Sequence, residues 1–318
     1  MPETSEGLPA AQQGMSLLKI SRSVAGALLL GIFASANSCA REPKSGAYQW
    51  YEDHEGQKTT YRFEDVTLVV TAVRDLGGAG AGPELEATAK NGAKISIFGV
   101  DGFRKMSAIV QVLRLDPNNS WVEVVFATYS GGAHCCTYVE VLSLLGRSWK
   151  VRDLGEWDGD PGQVQPRRLA GGSQPEFETR DDRFLYTFGG YVDSETPLRI
   201  LRVENGAALD VSQQPRFIDL YRRDMRFHQK NCAKGVNGAC AAFVASAIRA
   251  GSYLWAWDFM LKHYDRDNRD GLEMGETEYG AALTSPLNFP NFPAALDWFL
   301  RDTGYLDKNA PAPKPASE

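Results

Sequence analysis

From about Tyr48 to Ser212 the apolar positions alternate with polar ones or fall in short β-branched blocks, separated by turn-forming residues. Val66-Thr67-Leu68-Val69-Val70 is one such block, and Glu84–Lys90 and Ala93–Phe98 flank Asn91-Gly92, the strongest two-residue hairpin signal. Ile109–Leu115, Trp121–Tyr129, Thr137–Leu145, Arg183–Phe188 and Leu198–Val203 continue the series, the last running into Asn205-Gly206. No sustained 3.6-residue apolar period occurs in this stretch, so the pattern predicts an antiparallel meander. Trp121-Val122-Glu123 and Pro175-Glu176-Phe177, 54 residues apart, each lead into a further strand. This faint repeat keeps a partial propeller-like array beside a sandwich as the alternative.

After Pro215 the period changes. Phe217–Phe227, Ala241–Ala250, Tyr253–Tyr264 and Pro293–Leu300 read as helices, and Leu254, Trp257, Leu261 and Tyr264 fall on one face as an expected core stripe. The predicted class is α+β, an antiparallel all-β domain over residues 48–214 followed by a small helical domain over 215–308. Residues 39–47 form a linker, and the Pro/Ala-rich tail 309–318 is expected to be disordered.

The N-terminus changes the picture from a generic globular chain to an exported one. Met1–Gly14 carries two acids and no base, whereas from Met15 two basic residues, Lys19 and Arg22, precede the apolar run Val24–Ala36. That order is a secretory signal over residues 15–38, with 1–14 as an upstream extension. The run is shorter than the roughly 20 residues a spanning helix needs, and no second membrane segment follows. Ala34-Ser35-Ala36 offers a cleavage site. Cys39 after Ala36-Asn37-Ser38 resembles a bacterial lipoprotein box and offers a lipid anchor instead. The expected location is therefore the periplasm, or the membrane surface through Cys39.

Composition mainly excludes. The 318 residues are 43% hydrophobic and 23% charged, with 34 Lys+Arg against 40 Asp+Glu and a net charge of −6, so no basic surplus points to nucleic acid. The five cysteines are Cys39, Cys135, Cys136, Cys232 and Cys240, and in an oxidising compartment the internal four should pair. Cys232 and Cys240, eight residues apart with Gly235 and Gly238 between them, favour a local bridge. That would leave Cys135 and Cys136 to each other in a strained ring. The alternative has each reach one of the helical pair.

One loop stands out: Tyr129-Ser130-Gly131-Gly132-Ala133-His134-Cys135-Cys136-Thr137, between two predicted strands. This string resembles that of a group of uncharacterised exported bacterial proteins sharing SGGAHCC at residues 130–136. The resemblance implies a periplasmic or cell-surface β domain and brings no assigned activity. Read from its residues, the loop is a Gly-Gly turn with oxidised cysteines. A copper or zinc site, or thiol-redox chemistry through His134, Cys135 and Cys136, is the competing reading.

Asp265–Glu276 resembles an EF-hand loop, with Asp265, Asp267, Glu273 and Glu276 at ligand positions. Arg269 and Asp270 fall where an oxygen ligand and a Gly belong, so calcium is a minor alternative. The glycine run Gly77–Gly82 lacks the G-x-G-x-x-G register, and Ser16-Leu17-Leu18-Lys19 matches S-x-x-K only inside the export segment. With no catalytic signature left, the expectation is an exported bacterial envelope protein. It would act as a non-enzymatic binding module for an envelope protein or ligand, without a cofactor and with the loop Tyr129–Thr137 as its surface.

Overall fold

A computed structural model of the chain describes residues 46–51, 58–73, 82–100, 106–131, 136–159, 161–276 and 284–309. The signal segment, Cys39, Gly77–Gly80, and Gly132, His134 and Cys135 lie outside the described residues. Fourteen strands occur among the described residues: β1 Ala47–Tyr51, β2 Lys58–Phe63, β3 Val66–Val73, β4 Gly82–Ala89, β5 Lys94–Phe98, β6 Ser107–Leu113, β7 Glu123–Tyr129, β8 Thr137–Leu145, β9 Ser148–Trp157, β10 Phe177–Arg180, β11 Leu198–Glu204, β12 Ala207–Asp210, β13 Glu273–Glu276 and β14 Thr284–Asn288. Four helices accompany them: α1 Ile218–Cys232, α2 Asn237–Arg249, α3 Tyr253–His263 and α4 Phe292–Asp302.

The strands form sheets in the orders β1-β6-β7-β8-β9, β2-β3-β4-β5, β10-β11-β12 and β13-β14, with every pairing antiparallel. Strand side chains alternate between faces, so the buried positions report how the layers stack. Trp50, Val110, Val124, Phe126 and Leu142 of the five-stranded sheet share a core with Leu68, Val70, Leu85 and Ala87 of the four-stranded one. Its opposite face places Ile109, Val125, Val139 and Val141 against Phe177, Leu201 and Val203 of the three-stranded sheet. Leu198 and Ile200, on the other face of β11, pack among the helices with Phe217, Tyr221, Phe243, Val244 and Leu296. The described residues thus stack as sheet, sheet, sheet and helical cover, and the sandwich is realised rather than a propeller-like array.

The central sheet is buried on both sides. Val124, Val125, Phe126 and Ala127 are each fully inaccessible, which explains why β7 reads as a continuous apolar block rather than an alternating strand. Full burial of a side chain such as Phe126 is worth about 1.5–3 kcal/mol. Asn205 and Gly206 both have positive φ (51° and 69°), the turn that a two-residue hairpin demands. At Asn91-Gly92 only Gly92 is left-handed, at φ 86°. There Ala89 and Ala93 close a wider loop through the Ala89 amide and Ala93 carbonyl, at 2.9 Å.

Several expected elements change. Arg183–Phe188 is a 3-10 turn and loop, because Asp181 caps Arg183 and the chain there bends under α4 instead of extending. Strands β1, β2, β9, β10, β12 and the β13–β14 hairpin add to those expected. On α3, Trp257 is buried and Leu261 and Tyr264 pack against the helical core, but Leu254 is 66% exposed. Asn291 caps α4 by accepting from the Ala294 amide at 3.0 Å, with Pro293 in the first turn. Cys232, closing α1, and Cys240 in α2 are joined by a disulfide with Cα atoms 4.4 Å apart. No helix among the described residues is long and apolar enough to cross a membrane.

Candidate functional site

The two ends of the loop at Tyr129–Thr137 are described, and Ser130 closes its neck. The Ser130 amide donates to the Cys136 carbonyl at 3.1 Å, and the Cys136 amide donates to Ser130 Oγ at 2.9 Å. Cys136 is disulfide-bonded, and a disulfide sulfur supplies neither a thiolate nucleophile nor a thiolate metal ligand. Just past the neck, Thr137 Oγ1 donates to the Gly159 carbonyl at 2.6 Å, tying the base of the loop to the end of β9.

That end of β9 opens into a groove. A cleft of about 390 Å³ is lined by Trp157, Asp158, Gln163, Arg167, Glu178 and Arg180, among others. A second, of about 540 Å³, shares Asp158, Gln163 and Arg180 with it and continues past Tyr191, Val192, Glu195, Phe227 and His228. The groove is thus bounded by the β8–β9 end of the central sheet, the segment between β9 and β10, β10, the loop before β11, and α1.

Its walls are charged and paired. Tyr191 donates its hydroxyl to Asp158, at 3.0 and 3.1 Å to the two carboxylate oxygens; that bond pushes the phenol up, with smaller contributions from Tyr186 and Tyr129. Burial pushes Asp182, behind this wall, up to about 7, and Asp181 and Asp158 add to it. Arg167 pairs with Glu178, and Arg180 with Asp224 on α1. Val192 and Phe227 stand 92% and 59% exposed at the wide end.

Beneath the wide end lies a buried polar cluster. Asp224 and His228, one turn apart on α1, occupy the same buried face as Tyr221, Met225 and Cys232. Asp224 Oδ2 accepts from the Leu198 amide at 2.9 Å and from Ser246 Oγ at 2.7 Å, and stands 3.3 Å from His228 Nε2. His228 Nδ1 lies 2.5 Å from Glu195, whose other oxygen accepts from Asn231 at 2.6 Å. Burial pulls the imidazolium down, but hydrogen bonds and charge from Asp224 and Glu195 outweigh it and the pKa is raised. For Asp224 burial pushes upward, while His228, Arg180 and Ser246 hold it well below the carboxylate range.

Serine, histidine and aspartate are gathered here in the wrong order for nucleophilic catalysis. The Ser246 hydroxyl, fully buried, donates to the carboxylate instead of to the imidazole, and both ring nitrogens of His228 face carboxylates. The cluster anchors α1 to the three-stranded sheet.

The remaining expected residues sit elsewhere. In the EF-hand-like segment, Asp265 Oδ1 accepts from the Asp267 amide at 2.9 Å, and the Asp265 backbone exchanges two hydrogen bonds with the Asn237 side chain. Glu273 and Glu276 lie in β13; the side chain of Glu276 is outside the described residues. Among the described residues no group of three or more His, Cys, Asp or Glu is gathered to hold a metal ion. The groove residues Asp158, Arg167, Glu178, Arg180, Tyr191 and His228 form no motif in sequence. The one local signal was Asp224 and His228 at i, i+4 on an otherwise apolar helix face.

Fold and groove together define a stack of antiparallel sheets under a helical cover, with a polar, aromatic-rimmed groove where sheet ends and helix meet. Residues 219–304, spanning the four helices, match the model of a family described as the sll0997 C-terminal domain. Over 209 residues, 63% of this chain, the sequence is 34% identical to the probable thylakoid lumen protein sll0997 of Synechocystis sp., covering 61% of that protein. It is 29% identical to the uncharacterized protein y4bJ of Sinorhizobium fredii over 209 residues, 63% of this chain and 33% of that protein. The chain thus spans about three-fifths and one-third of the two curated relatives. No solved structure matches it.

Proposed function

We propose that this is an exported protein acting as a non-enzymatic binding module, whose ligand seats in the groove beside the neck of the 130–136 loop. The observation that carries the reading is the groove itself. Exposed Val192 and Phe227, the Arg167–Glu178 pair and Asp158 with its Tyr191 hydroxyl offer binding surface, while His228, buried beneath them, is held between two carboxylates. Export is supported by the signal at residues 15–38 and by the lumenal description of the Synechocystis relative. Lipid attachment at Cys39 would tether the module, and cleavage after Ala36 would release it to the periplasm.

A photo-crosslinking residue at Val192 should give a discrete adduct in intact cells. The same residue at Phe98, on the outer four-stranded sheet and 51% exposed, should not. Equal labelling at both positions, or none at Val192, would overturn the assignment of the groove. The intact mass of the unreduced protein from its own envelope reports the mature N-terminus and any lipid in one measurement. A chain that retains residues 1–36 would sink the export reading.

A further inference from the structure

The pairing of β10 determines where its backbone points. The Ile200 carbonyl accepts from the Val211 amide at 2.9 Å and its own amide donates to Ser212 Oγ at 3.0 Å, so both groups of Ile200 face away from β10. Glu178, opposite Ile200, is therefore a non-hydrogen-bonded partner, and its N–H and C=O point outward from the sheet. The same holds two residues on for Arg180, opposite Leu198, whose amide donates to Asp224. Two residues earlier, Glu176 uses its outward groups: it exchanges both backbone bonds with Arg167, each 2.9 Å. Past that bridge the segment carrying Gln163 and Gln165 diverges from β10, and the 390 Å³ cleft lies between them. Among the described residues, the outer edge of β10 is thus closed at Glu176 and open at Glu178 and Arg180.

We infer that the groove takes an extended peptide, which adds as a strand to the open edge of β10 and sets an apolar side chain between Val192 and Phe227. This rests on the groove's being the binding site. An edge presenting N–H and C=O groups two residues apart is matched by another polypeptide backbone, whose own groups repeat every second residue at about 6.6–7 Å. The side chains beside it pair among themselves, Arg167 with Glu178 and Arg180 with Asp224, so recognition falls on the backbone and on the apolar rim.

The probe is a phage-displayed library of linear twelve-residue peptides, panned on the oxidised exported chain. Selected peptides should carry an aromatic or aliphatic residue. They should lose binding when alternate amides are N-methylated, and should weaken on Val192→Asp. Glu178→Pro removes one outward N–H and no ladder bond, and proline is tolerated on a sheet edge; it should weaken binding about tenfold, the worth of one hydrogen bond. Should that variant fail to fold, the N-methylated series on the unaltered protein decides. Peptides indifferent to both N-methylation and Glu178→Pro would overturn strand addition, as would a library yielding no groove-dependent binder. If the crosslinker at Val192 still captures a partner, the binding-module reading stands without strand addition; if it captures none, both fall.

Discussion

Glu176 and Glu178 lie two residues apart, on the same face of one chain segment, and each meets an arginine. Glu176 is fully buried, held by Arg216 through both oxygens with Arg202 4.0 Å away, and its backbone is closed by Arg167. Glu178 is 32% exposed in its side chain, pairs with an Arg167 that is 65% exposed, and its backbone faces the groove. The first end of the edge is structural and the second is available, though residue type, charge and partner are alike. What separates them is desolvation: a buried carboxylate must keep its partners, and a wet one can exchange them.

The sharpest test of that contrast is Glu176→Ala. It leaves Arg216 and Arg202 facing a void beneath the helices, and breaking a buried pair from one side costs about 3–5 kcal/mol. A fall of that size in denaturant-derived stability, with an unchanged denaturant slope, is the expected result. A loss under about 1 kcal/mol would mean that water already reaches the pair and that the two ends do not differ.

A second test uses the anchor below the open end, which includes a titrating group. His228 has a raised pKa, so its contribution is complete below the ordinary histidine value of about 6.5 and is lost as pH rises through the higher folded value. Asp224 has a lowered pKa, so its contribution is present above the ordinary carboxylate range and is lost as pH falls through the folded value. Between these limits His228 and Asp224 are both charged. His228→Gln should cost about 2–3 kcal/mol near pH 6, and the deficit should shrink on the alkaline side, where the native ring also becomes neutral. Melting temperatures of both proteins from pH 5 to 9 would show it. Curves offset by a constant amount would mean the imidazole is not charged in the fold. Glu176→Ala relieves no histidine and should keep the parent's alkaline decline.

The antiparallel strands and the helices that follow them were legible in the sequence because local signals agree with the elements. Asn205-Gly206 turns where predicted, β7 is apolar throughout because both its faces are covered, and α1 to α4 carry their own periodicity. The sequence misjudged Arg183–Phe188, where β-favouring residues are overruled by an Asp181 that caps a turn and binds Arg183 and Tyr305. The groove was not legible at all. Its residues come from β9, the segment between β9 and β10, β10, the loop before β11 and α1, and become neighbours only when the three-stranded sheet is laid between the central sheet and the helices. The loop at 129–137 was legible as a string; what lies beside its neck was not.

The smallest expected effect closes the comparison. Arg167→Ala removes the partner of Glu178, but both side chains reach water, and exposed pairs contribute about 0–1 kcal/mol. Stability should fall by no more than about 0.5 kcal/mol, because the Arg167 backbone, which makes the bridge to Glu176, is retained. Its effect on the groove should be larger than on the fold, since Glu178 is then left without its cation at the mouth of the cleft. A double substitution, Arg167→Ala with Glu178→Ala, should restore neutrality there and bring peptide binding back toward the parent level. A single variant that unfolds the protein would show that Glu178 is held as tightly as Glu176, and that both ends of the edge are structural.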